Sequence, residues 1–113
     1  MADPNSGKMR ELVEQIRTQA AEANYRLTLH AHQELVEEGI SLDELLQAIE
    51  TSQVIENYPE HRRGACCLLN GRTQGGRSLH IVCTTAQPTL IIVTVYEPRD
   101  PKWMSPTQRR GAQ

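Results

Sequence analysis

The sequence predicts an α+β domain, with N-terminal helices packed on one face of a four-stranded antiparallel sheet. Three observations lead there. Apolar residues recur at three- and four-residue steps up to Thr51, and after it they fall in short strand-like runs. Those runs are joined by short connections, which favours antiparallel pairing of consecutive strands. At 113 residues the chain can hold one modest core, and helices followed by strands form two layers around it.

The elements follow in order. Residues 1–7 include Pro4, Asn5, Ser6 and Gly7 and are expected to be disordered. One α+β domain is expected over residues 8–104, then a flexible basic tail over 105–113. Within 8–24, Met9, Leu12, Val13, Ile16 and Ala20 form a narrow helical stripe. Residues 25–28 read as a short edge strand. Thr28 then suits the N-cap of a helix running to about Glu38, where Gly39 stops it. Ser41 with Glu44 makes a capping box for the next helix, whose apolar face is Leu42, Leu45, Leu46 and Ile49. Strands are expected at 54–58, 65–70, 79–85 and 90–96, with Gly71, Gly75 and Gly76 turning the chain between the second and third. Pro98, Pro101 and Pro106 should keep the tail out of regular structure, with Trp103 anchoring it. No internal repeat or domain linker is seen.

One Trp, three Tyr and no Phe make the core aliphatic. No apolar run is long enough to cross a membrane, and the polar N-terminus lacks the apolar segment of a signal peptide. A cytoplasmic protein without a membrane partner is expected. Cys66, Cys67 and Cys83 are odd in number and lack a CxxC spacing, so neither a zinc site nor another metal or cofactor is expected. In strand-like runs they suit small buried fillers. Charge is divided unevenly. Residues 1–60 hold 4 Lys/Arg against 12 Asp/Glu, and residues 61–113 hold 8 against 2. The second half therefore presents positive potential that suits an anionic partner, although solvated faces and a basic tail would give the same count.

Chemistry concentrates in residues 77–103, RSLHIVCTTAQPTLIIVTVYEPRDPKW. If Ile81 faces Val95 and Cys83 faces Val93, one face carries Leu79, Ile81, Cys83, Ile91, Val93 and Val95. The other carries His80, Val82, Thr84, Ile92, Thr94 and Tyr96. A one-residue slip scatters polar groups over both faces, so the first register is expected, with His80 and Tyr96 as cross-strand neighbours. A strand histidine is more often a hydrogen-bonded structural residue than a catalyst; the nearby phenol and basic flanks make the pair a candidate acid–base site. On a helical wheel His32 falls with Leu29, Leu35 and Val36 and reads as a core or interface residue. His30 is the freer ring. The two diverge by about 200° and cannot share one metal as an HEXXH pair does. Arg63 and Arg77, beside turns, and Lys102, in the tail, are candidate phosphate-binding residues. No aromatic pair for base stacking and no Gly-rich phosphate loop is present.

The succession LTLHAHQEL, EEGISLDELLQAI, VIENYPEHRRGACCLL, GRSLHIVC and IIVTVYEPRDPKW resembles the bacterial domain of unknown function numbered four-two-five-eight, a family grouped with RelE/ParE-type toxins. The resemblance covers about residues 25–103. It implies a RelE-like fold and a toxin of a type II toxin–antitoxin pair, with RNA as the candidate substrate and a small antitoxin protein as the candidate partner. The family-like positions are His30, Tyr58, His80, Tyr96, Pro98 and Trp103. Family members commonly carry Arg where this chain has Glu34 and Glu38, an exchange that removes positive charge from a candidate RNA-facing surface. The resulting expectation is a metal-independent endoribonuclease using His80, Tyr96 and His30. The alternative is a non-catalytic protein-binding module for an antitoxin or a gyrase-type target, or a degenerate family member that keeps only the fold.

Overall fold

A computed structural model of the chain describes residues 6–62, 64–99 and 103–109. Its elements run α1 (Ser6–Ala21), β1 (Tyr25–Leu27), α2 (Leu29–Glu38), α3 (Leu42–Glu50), β2 (Gln53–Tyr58), β3 (Cys66–Arg72), β4 (Ser78–Thr84), β5 (Leu90–Tyr96), β6 (Trp103–Ser105) and β7 (Gln108–Arg109). The first five strands form one sheet in the order β1-β5-β4-β3-β2, and β6 and β7 form a separate hairpin. The α+β class and the meander β2-β3-β4-β5 match the sequence reading. The sheet itself is five-stranded and mixed, because β1 joins parallel to β5 through Tyr25↔Leu90, Arg26↔Ile91 and Leu27↔Ile92. It gives the N-terminal half of the β5 edge a backbone partner that would otherwise be missing.

Helix boundaries follow the expected caps. Thr28 accepts from the Ala31 amide at 3.0 Å, and Gly39 ends α2 in the left-handed conformation, with φ of 64°, where glycine carries no Cβ penalty. Ser41 and Glu44 form the reciprocal capping box of α3, at 3.0 and 3.1 Å. α1 begins at Ser6, inside the stretch expected to be disordered.

The core lies between the helices and one sheet face. Val13, Ile16 and Ala20 of α1, Ala31 and Leu35 of α2, and Leu45, Ala48 and Ile49 of α3 meet Cys67, Leu69, Leu79, Ile81, Cys83, Leu90, Ile92 and Val95. β3 approaches α3 so closely that a Cβ on Gly71 would lie 1.8 Å from the Ala48 carbonyl oxygen. Cys67 and Cys83 face each other across β3 and β4 and are free, buried thiols; a hydrogen bond between them and burial push the Cys83 thiol well above its ordinary pKa. Leu42 is 46% exposed, so it lies off the buried face assigned to it.

The β4–β5 register begins as expected, with His80↔Tyr96 and Ile81↔Val95, and then shifts after Val82, so that Cys83 meets Ile92 rather than Val93. The bulge exchanges the faces of the first half of β5. Leu90 and Ile92 enter the core, and Ile91 and Val93 are left half-buried outside it. Thr84 helps hold the altered register by accepting from the Ile91 amide at 2.9 Å.

Candidate functional site

Strand alternation places His80 on the sheet face away from the helices. Its row is set by two registers: Asn70 on β3 is opposite it on one side and Tyr96 on β5 on the other. The next row outward pairs Arg72 with Ser78, and the inward rows bring Leu68 and Cys66 opposite Val82 and Thr84. This outer face is not simply open to solvent. His80 and Cys66 are fully buried, and Leu68 and Thr84 nearly so.

Both ring nitrogens of His80 are engaged. Nδ1 lies 3.2 Å from the Tyr96 hydroxyl, with the rings edge to face at 5.3 Å. Nε2 meets the main-chain carbonyl of Pro106, at the turn of the β6–β7 hairpin. A carbonyl can only accept, so Nε2 carries the proton; in the neutral ring, Nδ1 then accepts from the Tyr96 hydroxyl. The same hairpin corrects the tail reading, since Pro106 turns two short strands instead of interrupting them. Beside His80, Asn70 Oδ1 is buried and has no hydrogen-bond partner. On β2, the Tyr58 hydroxyl donates to the Glu56 carboxylate.

Of the other expected site residues, Arg77 is held inside the fold. Its Nε contacts Glu97 at 3.1 Å, one terminal nitrogen donates to the Gly39 carbonyl at 2.9 Å and the other to the Glu38 carbonyl. It thus caps the C-terminal carbonyls of α2, where positive charge is favoured. Arg63 and Lys102 lie outside the described residues. His30 is exposed on α2 and pairs with Glu34 at 3.3 Å, so it is not in the His80 row. His32 is exposed, contrary to the wheel reading. The buried residues of α2 are the smaller Ala31 together with Leu35, while Leu29 and Val36 are 74% and 83% exposed.

Glu34 and Glu38 do not face a surface awaiting RNA. Their carboxylates turn toward β5 beyond the end of β1, where Glu34 accepts from the Val95 amide at 2.8 Å and Glu38 from the Glu97 amide at 2.9 Å. Residues i and i+4 of a helix thereby serve alternate amides of a strand, completing the edge that β1 covers only in part. Burial raises the Glu34 pKa despite that bond. The Glu97 amide, followed by Arg99, lowers the Glu38 pKa.

Sequence reasoning missed Asn70, and it read Arg72 only as a basic residue beside the turn after β3, without placing it near His80. Alternation along β3 carries both onto the His80 face, a signal readable only with the β3–β4 register, whereas the β4–β5 pair alone had been aligned. Arg72 is exposed, and it shares with Asn70, Gly71, Thr51 and Gln53 an open depression of about 390 Å³. Among the described residues, no group of three or more His, Cys, Asp or Glu is placed to hold a metal ion. Among them too, no helix is long and apolar enough to cross a membrane.

These features define an α+β protein with a mixed five-stranded sheet and, on its outer face, a buried histidine paired with a half-buried tyrosine. The chain belongs to the family described as Domain of unknown function (DUF4258), which matches residues 27–97. Neither a curated protein nor a solved structure matches it.

Proposed function

We propose that the chain is a toxin-like protein of a type II toxin–antitoxin module, with the RelE-like grouping that the family resemblance implies, and that it cleaves RNA without a metal. The single observation behind this reading is the pairing of His80 with Tyr96 in one polar row, with the exposed Arg72 one row away. In the reaction, His80 Nε2 accepts the proton of a ribose 2′-hydroxyl while Tyr96 holds the Nδ1 proton. That requires the opposite tautomer from the resting one, with the Pro106 carbonyl withdrawn. The 2′ oxygen bonds to phosphorus and the P–O5′ bond breaks. The leaving oxygen takes a proton from solvent, giving a 2′,3′-cyclic phosphate and a 5′-hydroxyl. Arg72 takes the phosphate-holding role first given to Arg77, whose nitrogens are bound internally. With Tyr96 engaged in holding Nδ1 and no other acid–base group in that row among the described residues, the rate is expected to be modest.

Overexpression in bacteria tests the reading. Wild-type protein is expected to arrest growth and leave cyclic-phosphate RNA ends, and His80→Ala to do neither. A folded, fully toxic His80→Ala protein would remove His80 from catalysis.

A second reading, a protein-binding module, is favoured by the exposed Leu29 and Val36 on α2. Such residues suit a partner's apolar face. Intact RNA together with a tight antitoxin complex, weakened by Leu29→Ser, would favour this second function.

A further inference from the structure

We infer that the β6–β7 hairpin is a gate that keeps the His80 site latent, an inference that rests on the acid–base reading above and gives its regulation. The catalytic step needs Nε2 open to substrate, yet that atom is bonded to the Pro106 carbonyl and the ring is fully buried. The block comes from a segment that is not part of the main sheet, since among the described residues β6 and β7 pair only with each other, in a separate two-stranded sheet. The hairpin can therefore leave without breaking a rung of the β1-β5-β4-β3-β2 ladder. Its hold on His80 is a main-chain carbonyl, so side-chain chemistry at position 106 does not make the bond. Closure also leaves a polar group unsatisfied in the same row, because Asn70 Oδ1 is buried beside His80 without a partner. A buried orphan acceptor is costly, and a substrate donor entering the row could satisfy it. The gate thus separates a fully hydrogen-bonded histidine in the resting chain from an exposed Nε2 in the working one.

The test uses the full chain, once as wild type and once with three glycines inserted between Ser105 and Pro106 to draw the carbonyl away. Imidazole ¹⁵N spectra report the His80 tautomer and the solvent exchange of its Nε2 proton, and a short RNA oligonucleotide reports cleavage. In wild type the Nε2 proton is expected to be protected, and the insertion should accelerate both its exchange and RNA cleavage by about tenfold or more. If the wild-type proton exchanges at the rate of a free imidazole, no gate exists; this measurement stands even if the insertion variant does not fold. Unchanged protection in a folded insertion variant also overturns the gate. Equal His80-dependent cleavage by both proteins rejects it while leaving the ribonuclease reading intact. Loss of protection with RNA intact in both proteins upholds the gate as a conformational device and rejects the ribonuclease.

Discussion

Both faces of the sheet carry buried residues, held in different ways. On the inner face, Leu69, Leu79, Ile81, Cys83, Ile92 and Val95 are covered by three helices, and aliphatic contact suffices. On the outer face, the buried His80 is hydrogen-bonded to one hydroxyl and one carbonyl, the latter from a hairpin that is a separate two-stranded sheet. Apolar burial tolerates small displacements and accumulates over many residues. Polar burial depends on a few oriented partners, and losing one leaves another stranded. The inner face should thus govern global stability, and the outer face local opening.

The sharpest contrast comes from adjacent residues of β4. Ile81→Ala, on the inner face, should lower unfolding free energy by about 2–5 kcal/mol in urea melts. Val82→Ala, half-buried on the outer face, should cost about 1 kcal/mol or less. Equal costs would break the distinction. Gly71→Ala probes the inner face through overpacking. Its new Cβ would stand 1.8 Å from the Ala48 carbonyl oxygen, so β3 and α3 must separate, at a cost of about 3 kcal/mol. A variant as stable as wild type would show that the β3–α3 approach is looser than described.

Much of the inner face and the key outer pair were legible in the sequence, because alternation sorts apolar from polar side chains and only one register aligned His80 with Tyr96. What escaped depended on contacts between distant segments. The bulge after Val82 conserves the residue types while exchanging the faces of Ile91 and Ile92, so a regular alternation could not reveal it. Parallel pairing of β1 with β5 joins segments more than sixty residues apart in sequence, where no local pattern signals contact. His32 was misplaced because a wheel groups large apolar residues, whereas α2 turns Ala31 toward the sheet and leaves Leu29 and Val36 outside. Glu34 and Glu38 looked like surface charge because strand-edge amides cannot be anticipated without the fold.

A change confined to the outer face should act locally. His80→Leu places an apolar side chain in the row and removes one hydrogen-bond partner each from the Tyr96 hydroxyl and the Pro106 carbonyl. It should cost about 1–3 kcal/mol globally. The more telling readout is amide exchange, where protection of the β6–β7 hairpin should fall while that of β3 and β4 persists. Loss of protection throughout the sheet would make the hairpin part of the main folding unit.

The smallest effects belong at the β5 edge, where Glu34 and Glu38 make the same kind of bond in different surroundings. Glu38 has a lowered pKa because its carboxylate accepts from the Glu97 amide beside Arg99. Its contribution is present above the ordinary carboxylate pKa and is lost as pH falls through the lowered folded value. Glu34 is raised, burial outweighing its bond to Val95. Its contribution has the opposite sign: fully present below the ordinary value and lost as pH rises through the raised folded one. Glu38→Gln should flatten the acid-side fall in unfolding free energy, and Glu34→Gln should steepen it, each by about 1 kcal/mol or less at this partly wet edge, as read from urea melts across pH. Parallel shifts in the two variants would mean that the edge bonds are equivalent and that burial does not separate them. Opposed shifts would show that one helix seals a strand edge with two carboxylates of opposite pH preference, which sets this edge apart from both faces of the sheet.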